Sequence, residues 1–206
     1  MGKFNDKDKT KVITIVGTGA LGSHVLLFGR NLKVTWVAID DDRVEKKNTL
    51  SQFHTRQGIG RNKAQAAAQM MKGLFGVNIK AVPHRLTADN AEMLLGGTDL
   101  ILDCLDNGAS RRILQALVRK VGTPCLHGAL AADGQFGSVV WDEGFTIDNE
   151  DVEGQATCEG GEFLPFIVDV ANGLVIAIQT YLETGKKVGA MMNPDAKTGF
   201  THKMML

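Results

Sequence analysis

The chain has 206 residues, 44% of them apolar, and 23 Lys+Arg against 23 Asp+Glu, which suits one folded domain with a sizeable core. A formal net charge of zero gives no overall field toward nucleic acid or an anionic membrane, so neither is expected as a partner. The three cysteines, Cys104, Cys125 and Cys158, form no C-x-x-C pair. That argues against a disulfide scaffold and a zinc site and suits a reducing cytoplasm.

The N-terminus "MGKFNDKDKTK" is polar and reads as no signal peptide, and Asp6 stands where a myristoylation signal wants Ser or Thr. "KVITIVG" is a continuous apolar strand, "TGALGSHVLLFGRN" turns into a helix, and "VTWVAID" is a second buried strand ending on acids. "NTLSQFHTRQGIGRNK" is a polar connection, and "NKAQAAAQMMKGLFG" follows it as a helix. "NIKAVPHRL" reads as a strand, "ADNAEMLLGG" as a short helix, "DLILDCLD" as a strand, "GASRRILQALVRKVG" as an amphipathic helix and "TPCLHGAL" as a further strand. After residue 130, "GQFGSVVW" is reached by a Gly-bounded turn and is expected to run antiparallel.

Residues 142–164 are an acidic connection holding Cys158, and no Lys or Arg occurs between Trp141 and Gly185. "FLPFIVDVANGLVIAIQTYL" approaches the length of a membrane span, but Asp169 and Asn172 near its middle favour a buried helix from Pro165 to just before Gly185. The tail "MMNPDAKTGFTHKMML" is expected to add one short strand. The fold class is therefore α/β: a Rossmann-like, mostly parallel, doubly wound sheet with antiparallel C-terminal strand(s). It forms one domain over 1–206, with its core at 11–141 and the helix and tail at 165–206.

"VGTGALG" places Gly17, Gly19 and Gly22 between strand and helix, where they permit a tight turn and close backbone approach to a phosphate. Asp40 ends the second strand, at the distance where a carboxylate accepts from ribose hydroxyls. Packing of helix on sheet is the blander reading of these glycines. The motif alone does not choose the nucleotide, and an NAD-dependent oxidoreductase explains Gly17 to Asp40. A triphosphate undergoing attack needs Lys or Arg on its oxygens and a carboxylate for Mg²⁺. Lys63 in "GIGRNK", Asp106 and Asn107 in "LDCLDN" and Arg111 one turn into the next helix are candidates at the strand ends. Singly, Lys63 reads as a solvated helix lysine, Asp106 as an N-cap and Arg111 as a surface charge. All of them fall beside the same sheet edge as Asp40.

Together "VGTGALGS", "IDDDRVEKKNTLSQ", "GIGRNKA" and "DCLDNGASRR" resemble the ThiF/MoeB/HesA family of ubiquitin-activating-enzyme-like adenylyltransferases. "ATCEGGEFLPFIVDVANGLVIAIQTYLETGKK" is similar to that family's cysteine crossover and following helix, so the resemblance covers residues 11 to about 187. It implies an enzyme that uses ATP and Mg²⁺ to adenylate the C-terminal glycine carboxylate of a ubiquitin-like or sulfur-carrier protein or a peptide, releasing pyrophosphate. By position it implies Gly17, Gly19 and Gly22 as the nucleotide loop, with Asp40 on ribose and Asp42 beside it. Asn48 and Gln52 would line the adenine and phosphate side, and Lys63 would contact phosphates. Asp106 would be the Mg²⁺ ligand, with Asn107 and Arg111 completing that corner. A homodimer or heterodimer is implied as well.

The match departs at Ser51, where the family pattern has arginine, and Ser supplies no positive charge. Arg56 or Arg61, in the same connection, would compensate if that loop folds back. About ten residues precede the first strand and none is arginine, so completion of a partner's site by an N-terminal arm is not expected. Cys158 aligns with the family's crossover cysteine. Its acidic neighbours Glu153, Glu159 and Glu162 raise a thiol's pKa, a following helix N-terminus favours thiolate, and an ordinary free cysteine is the other reading. Cys104, Cys125 and His127 read as core. Besides an activating enzyme, two functions remain open: a catalytically weak family member serving as partner subunit or binding module, and the oxidoreductase.

Overall fold

The computed structural model of the chain describes residues 10–131, 134–147, 164–193 and 203–205. Continuous apolar runs become the central strands, and alternation along each run decides which face of the sheet a side chain meets. β1 (Lys11–Val16) sends Ile13 and Ile15 to one face and Val16 to the other. β2 (Val34–Ile39) divides Trp36 and Ala38 from Val37 and Ile39 in the same way. β3 (Ile79–Val82) stops at Pro83, which has no backbone N–H to continue a ladder, so it is shorter than "NIKAVPHRL" suggests. β4 (Leu100–Asp103) and β5 (Cys125–Leu130) complete the parallel part.

β6 (Gly137–Trp141) returns antiparallel to β5 through a turn in which Ala131 N–H donates to Phe136 O at 2.8 Å. The tail adds two strands where one is expected, β7 (Gly189–Met192) and β8 (Lys203–Met205), both antiparallel. Among the described residues the sheet has eight strands in the order β3-β2-β1-β4-β5-β6-β7-β8. The strand order reverses between β1 and β4, and an open α/β sheet has its crevice outside the carboxyl ends at such a point.

Helices cover both faces. α1 (Ala20–Phe28), α3 (Lys63–Phe75) and α6 (Leu164–Thr184) share one apolar cluster with Ile13, Trp36 and Leu126. α4 (Ala91–Leu95) and α5 (Gly108–Val121) share the other with Val16, Ile39 and Ile101. α2 (Asn48–Ser51) is a single turn inside the polar connection. α6 has the length and composition of a membrane span, yet Ile167, Val170, Ala171, Leu174 and Ile178 are fully buried against this domain. It lies close on the sheet because Gly128 and Gly137 leave room. A Cβ there would meet Leu174 Cδ1 at 2.7 Å and Val170 Cγ2 at 2.4 Å. As expected, Pro165 sits in its first turn, and Gly185, at φ 72°, closes its end.

Candidate functional site

The turn after β1 can be built only from glycine at two points. Gly17 has φ 91°, and a Cβ on it would stand 2.6 Å from Cys104 O. A Cβ on Gly22 would stand 1.9 Å from Gly17 O, so Gly22 is the close-packing glycine and lies inside α1. Gly19 differs. Its added Cβ would meet nothing nearer than Gln52 Nε2 at 3.9 Å, which leaves the start of α1 open to an approaching ligand.

Asp40 holds this turn rather than standing free. Its Oδ2 accepts from Thr18 N–H at 2.6 Å and Thr18 Oγ1 at 2.9 Å, and its Oδ1 accepts from Asp42 N–H at 2.9 Å. Burial pushes its carboxyl above the ordinary aspartate value, and the Thr18 and Asp42 bonds and Lys63 only partly reverse this. Behind Thr18 stands His54, whose Nε2–H donates to Thr18 O at 2.9 Å. Burial, opposed by that bond, lowers its pKa to about 4.

The polar connection is zipped onto the loop after β2. Val44 N–H donates to Arg61 O and Gly60 N–H to Val44 O, both at 2.8 Å. Asn62 caps α3 by accepting from Gln65 N–H, and its Nδ2–H donates to the carbonyls of Asp40 and Asp42 at 2.7 and 3.1 Å. Lys63 is therefore fixed at the first position of α3, and its ammonium donates to Asp42 Oδ2 at 2.9 Å. Burial pulls its pKa down, but Asp42 and the charges of Asp40 and Asp106 outweigh that and hold it above the ordinary lysine value.

Across the switch point Asn107 caps α5 by accepting from Ser110 N–H at 2.8 Å. Asp106, just before it, is exposed. Arg111 is not a surface charge. Its guanidinium donates to Leu105 O at 3.0 and 2.5 Å and to Gly128 O at 2.6 Å, and lies 3.6 Å from buried Asp103.

These loops enclose a cleft of about 750 Å³. The structure brings Gly17, Gly19, Asp40, Asp42, Gln52, Lys63, Asp106, Asn107 and Arg111 to its walls. It does not bring the others. Asn48 is buried under its own turn, its Oδ1 accepting from Glu45 N–H at 2.8 Å. Arg56 is exposed in a 3-10 turn and Arg61 is hydrogen-bonded to Gln69; neither lines the cleft, because the zipped backbone carries both outward. Ser51 is buried. Cys158 lies outside the described residues.

Several cleft residues escaped the sequence reading. His84 and Arg85 line it from the loop after β3, a strand end like the others, where the same edge argument applies. Phe136, Phe145 and Met191 line it from β6, β7 and their connections, which only the antiparallel pairing places there. Among the described residues Asp40, Asp41 and Asp42 group oxygens within 4.8 Å of one another, but Thr18 and Lys63 already engage Asp40 and Asp42.

The site fits a phosphorylated nucleotide. Gly19 leaves the helix start open, Lys63 brings an ammonium to the same cleft, and the buried Oε1 of Gln52, an acceptor with no partner, can take an N–H or O–H of a base or ribose. Fold and cleft define a Rossmann-type domain with a polar crevice at the switch point. The ThiF family model matches residues 3–204, and the chain belongs to the ThiF family.

Relatives include the SAMP-activating enzyme E1 of Haloferax volcanii, 32% identical over 121 residues that cover 57% of this chain and 45% of that protein. The sulfur carrier protein adenylyltransferase of Thermus thermophilus is 34% identical over 131 residues, covering 62% of this chain and 48% of that protein. The match to these curated relatives spans about half of their length. In fold, the chain is similar to the crystal structure of E. coli MccB with succinimide, at a TM-score of 0.75 and 12% identity over 97% of this chain and 64% of that one.

Proposed function

We propose that this domain uses ATP to adenylate the C-terminal carboxylate of a ubiquitin-like or sulfur-carrier protein. The observation that carries the reading is the convergence of the open Gly19 turn, Lys63, Asp106 and Gln52 on one cleft at the switch point. An attacking carboxylate and a triphosphate repel each other, so the site has to supply positive charge where the two meet. Gly19 and the first residues of α1 offer backbone N–H groups, and Lys63 supplies a fixed ammonium. A carboxylate oxygen attacks the α-phosphorus, the bond to the bridging oxygen breaks, and pyrophosphate leaves with that electron pair. Mg²⁺ held by Asp106 would neutralise phosphate charge as it shifts onto the leaving group.

The names of the relatives support this acceptor class, and the family membership supports the chemistry. A cytoplasmic homodimer or heterodimer is the expected setting, checked by light scattering of the purified chain. The test is pyrophosphate release from MgATP with a sulfur-carrier protein ending in Gly-Gly. Weak MgATP effects with no release would favour instead the catalytically weak partner subunit or binding module, a reading that Ser51 and the outward Arg56 and Arg61 support. Preference for NAD over MgATP would return the oxidoreductase reading.

A further inference from the structure

Behind the cleft, two aspartates on different elements meet one fully buried imidazole. His127 on β5 is hydrogen-bonded through Nδ1 with Asp103 Oδ2 at 2.7 Å and through Nε2 with Asp142 Oδ1 at 3.2 Å. Each aspartate also holds a cleft wall. Asp103 Oδ1 accepts from Leu105 N–H at 3.0 Å, immediately before Asp106. Asp142 starts the short turn whose Phe145 N–H donates back to Asp142 O at 3.2 Å. Phe145 lies flat on His127, with centroids 4.0 Å apart and planes 6° apart, and Arg111 stands 5.4 Å from its ring. From α5, Gln115 and Arg119 pin Asp142 at 2.9 and 3.0 Å.

We propose that His127 is a positioning residue that holds two parts of the cleft wall, residues 105–107 and residues 142–147, at a fixed separation. It rests on the adenylation reading, in which Asp106 belongs to the nucleotide half and the 142–147 segment lies on the side of the incoming carboxylate. Attack needs the two reactants aligned, and a displacement of about 1 Å costs on the order of a hundredfold in rate. A buried polar cluster kept only for stability would lose melting temperature on substitution without that loss of rate.

The test uses the full chain with His127→Gln and Asp142→Asn, and Lys120→Ala on the exposed face of α5 as control. Hydrogen exchange is expected to rise about tenfold at Leu105 and Phe145 together in both variants, with β1 and β2 unchanged. With MgATP and the Gly-Gly-ended carrier, kcat for pyrophosphate release is expected to fall at least about tenfold while the KM for ATP stays within about twofold. Faster exchange on one wall alone, or kcat unchanged in a folded variant, overturns the proposal. If one variant fails to fold, the other decides both readouts. If the unmodified chain neither binds MgATP nor releases pyrophosphate, the adenylation reading fails, and the exchange result still decides whether His127 couples the two walls.

Discussion

His54 sits three residues after Ser51, is buried, and acts through one bond to Thr18 O. Its pKa is lowered to about 4 from the ordinary 6.5, so the unfolded chain binds its proton more readily. Stability from this group is therefore complete above pH 6.5 and is lost as pH falls toward 4, by on the order of 3 kcal/mol. Burial lowers His24 in the same direction. His54→Gln is expected to flatten the fall in Tm between pH 6.5 and 4, and a slope identical to that of the unmodified chain would rule out His54 as its source. Lys63 and Arg56 give the complementary contrast. Lys63→Ala should weaken MgATP binding at least about tenfold, as loss of a charged hydrogen bond does, whereas Arg56→Ala should leave it unchanged. A tenfold loss in Arg56→Ala, read by calorimetric titration, would show that the connection closes onto the nucleotide. Lys63 and Asp106 were legible in the sequence because a strand end followed by a helix start fixes where such residues emerge. The path of the connection was not, since the backbone bonds of Val44 with Gly60 and Arg61 join segments separated along the chain.

The glycine turn works as one element, and its members should fail differently. A Cβ on Gly22 collides with backbone at Gly17 O, so Gly22→Ala forces α1 away from the turn at a cost of about 1–3 kcal/mol. Both Tm and nucleotide binding are expected to drop. A Cβ on Gly19 meets only Gln52 Nε2, at an ordinary 3.9 Å, so Gly19→Ala should keep Tm within a few degrees yet weaken MgATP at the start of α1. Equal melting losses in the two variants would contradict this division. The parallel strands could be read from the sequence because burial on both faces writes itself as an unbroken apolar run. β7 was harder to place, because "GAMM" is a short apolar run at the start of the tail and becomes a strand by pairing with β6. β8 was within the expected tail, but its pairing with β7 is again a long-range contact.

At the scale of the whole molecule, α6 closes one face, the antiparallel strands extend the sheet past β5, and the cleft spans both parts. The nucleotide half was visible in chain-local motifs. The opposite wall was not, since Phe136, Phe145 and Met191 reach it only through tertiary pairing. Ligand preference follows from the charges the cleft holds. MgATP at about 100 times its Kd should add about 2.7 kcal/mol of stability, which thermal melting detects. NAD should add less, and Asp106→Ala should lose part of the MgATP shift. A larger shift with NAD would reverse the order.

Most direct is the fate of the triphosphate when an acceptor is present. Incubated with MgATP and a carrier protein ending in Gly-Gly, the chain should release one pyrophosphate per carrier activated, and none when the terminal glycine is removed. Tight MgATP binding with no pyrophosphate from any such carrier would contradict the adenylation of a protein C-terminus.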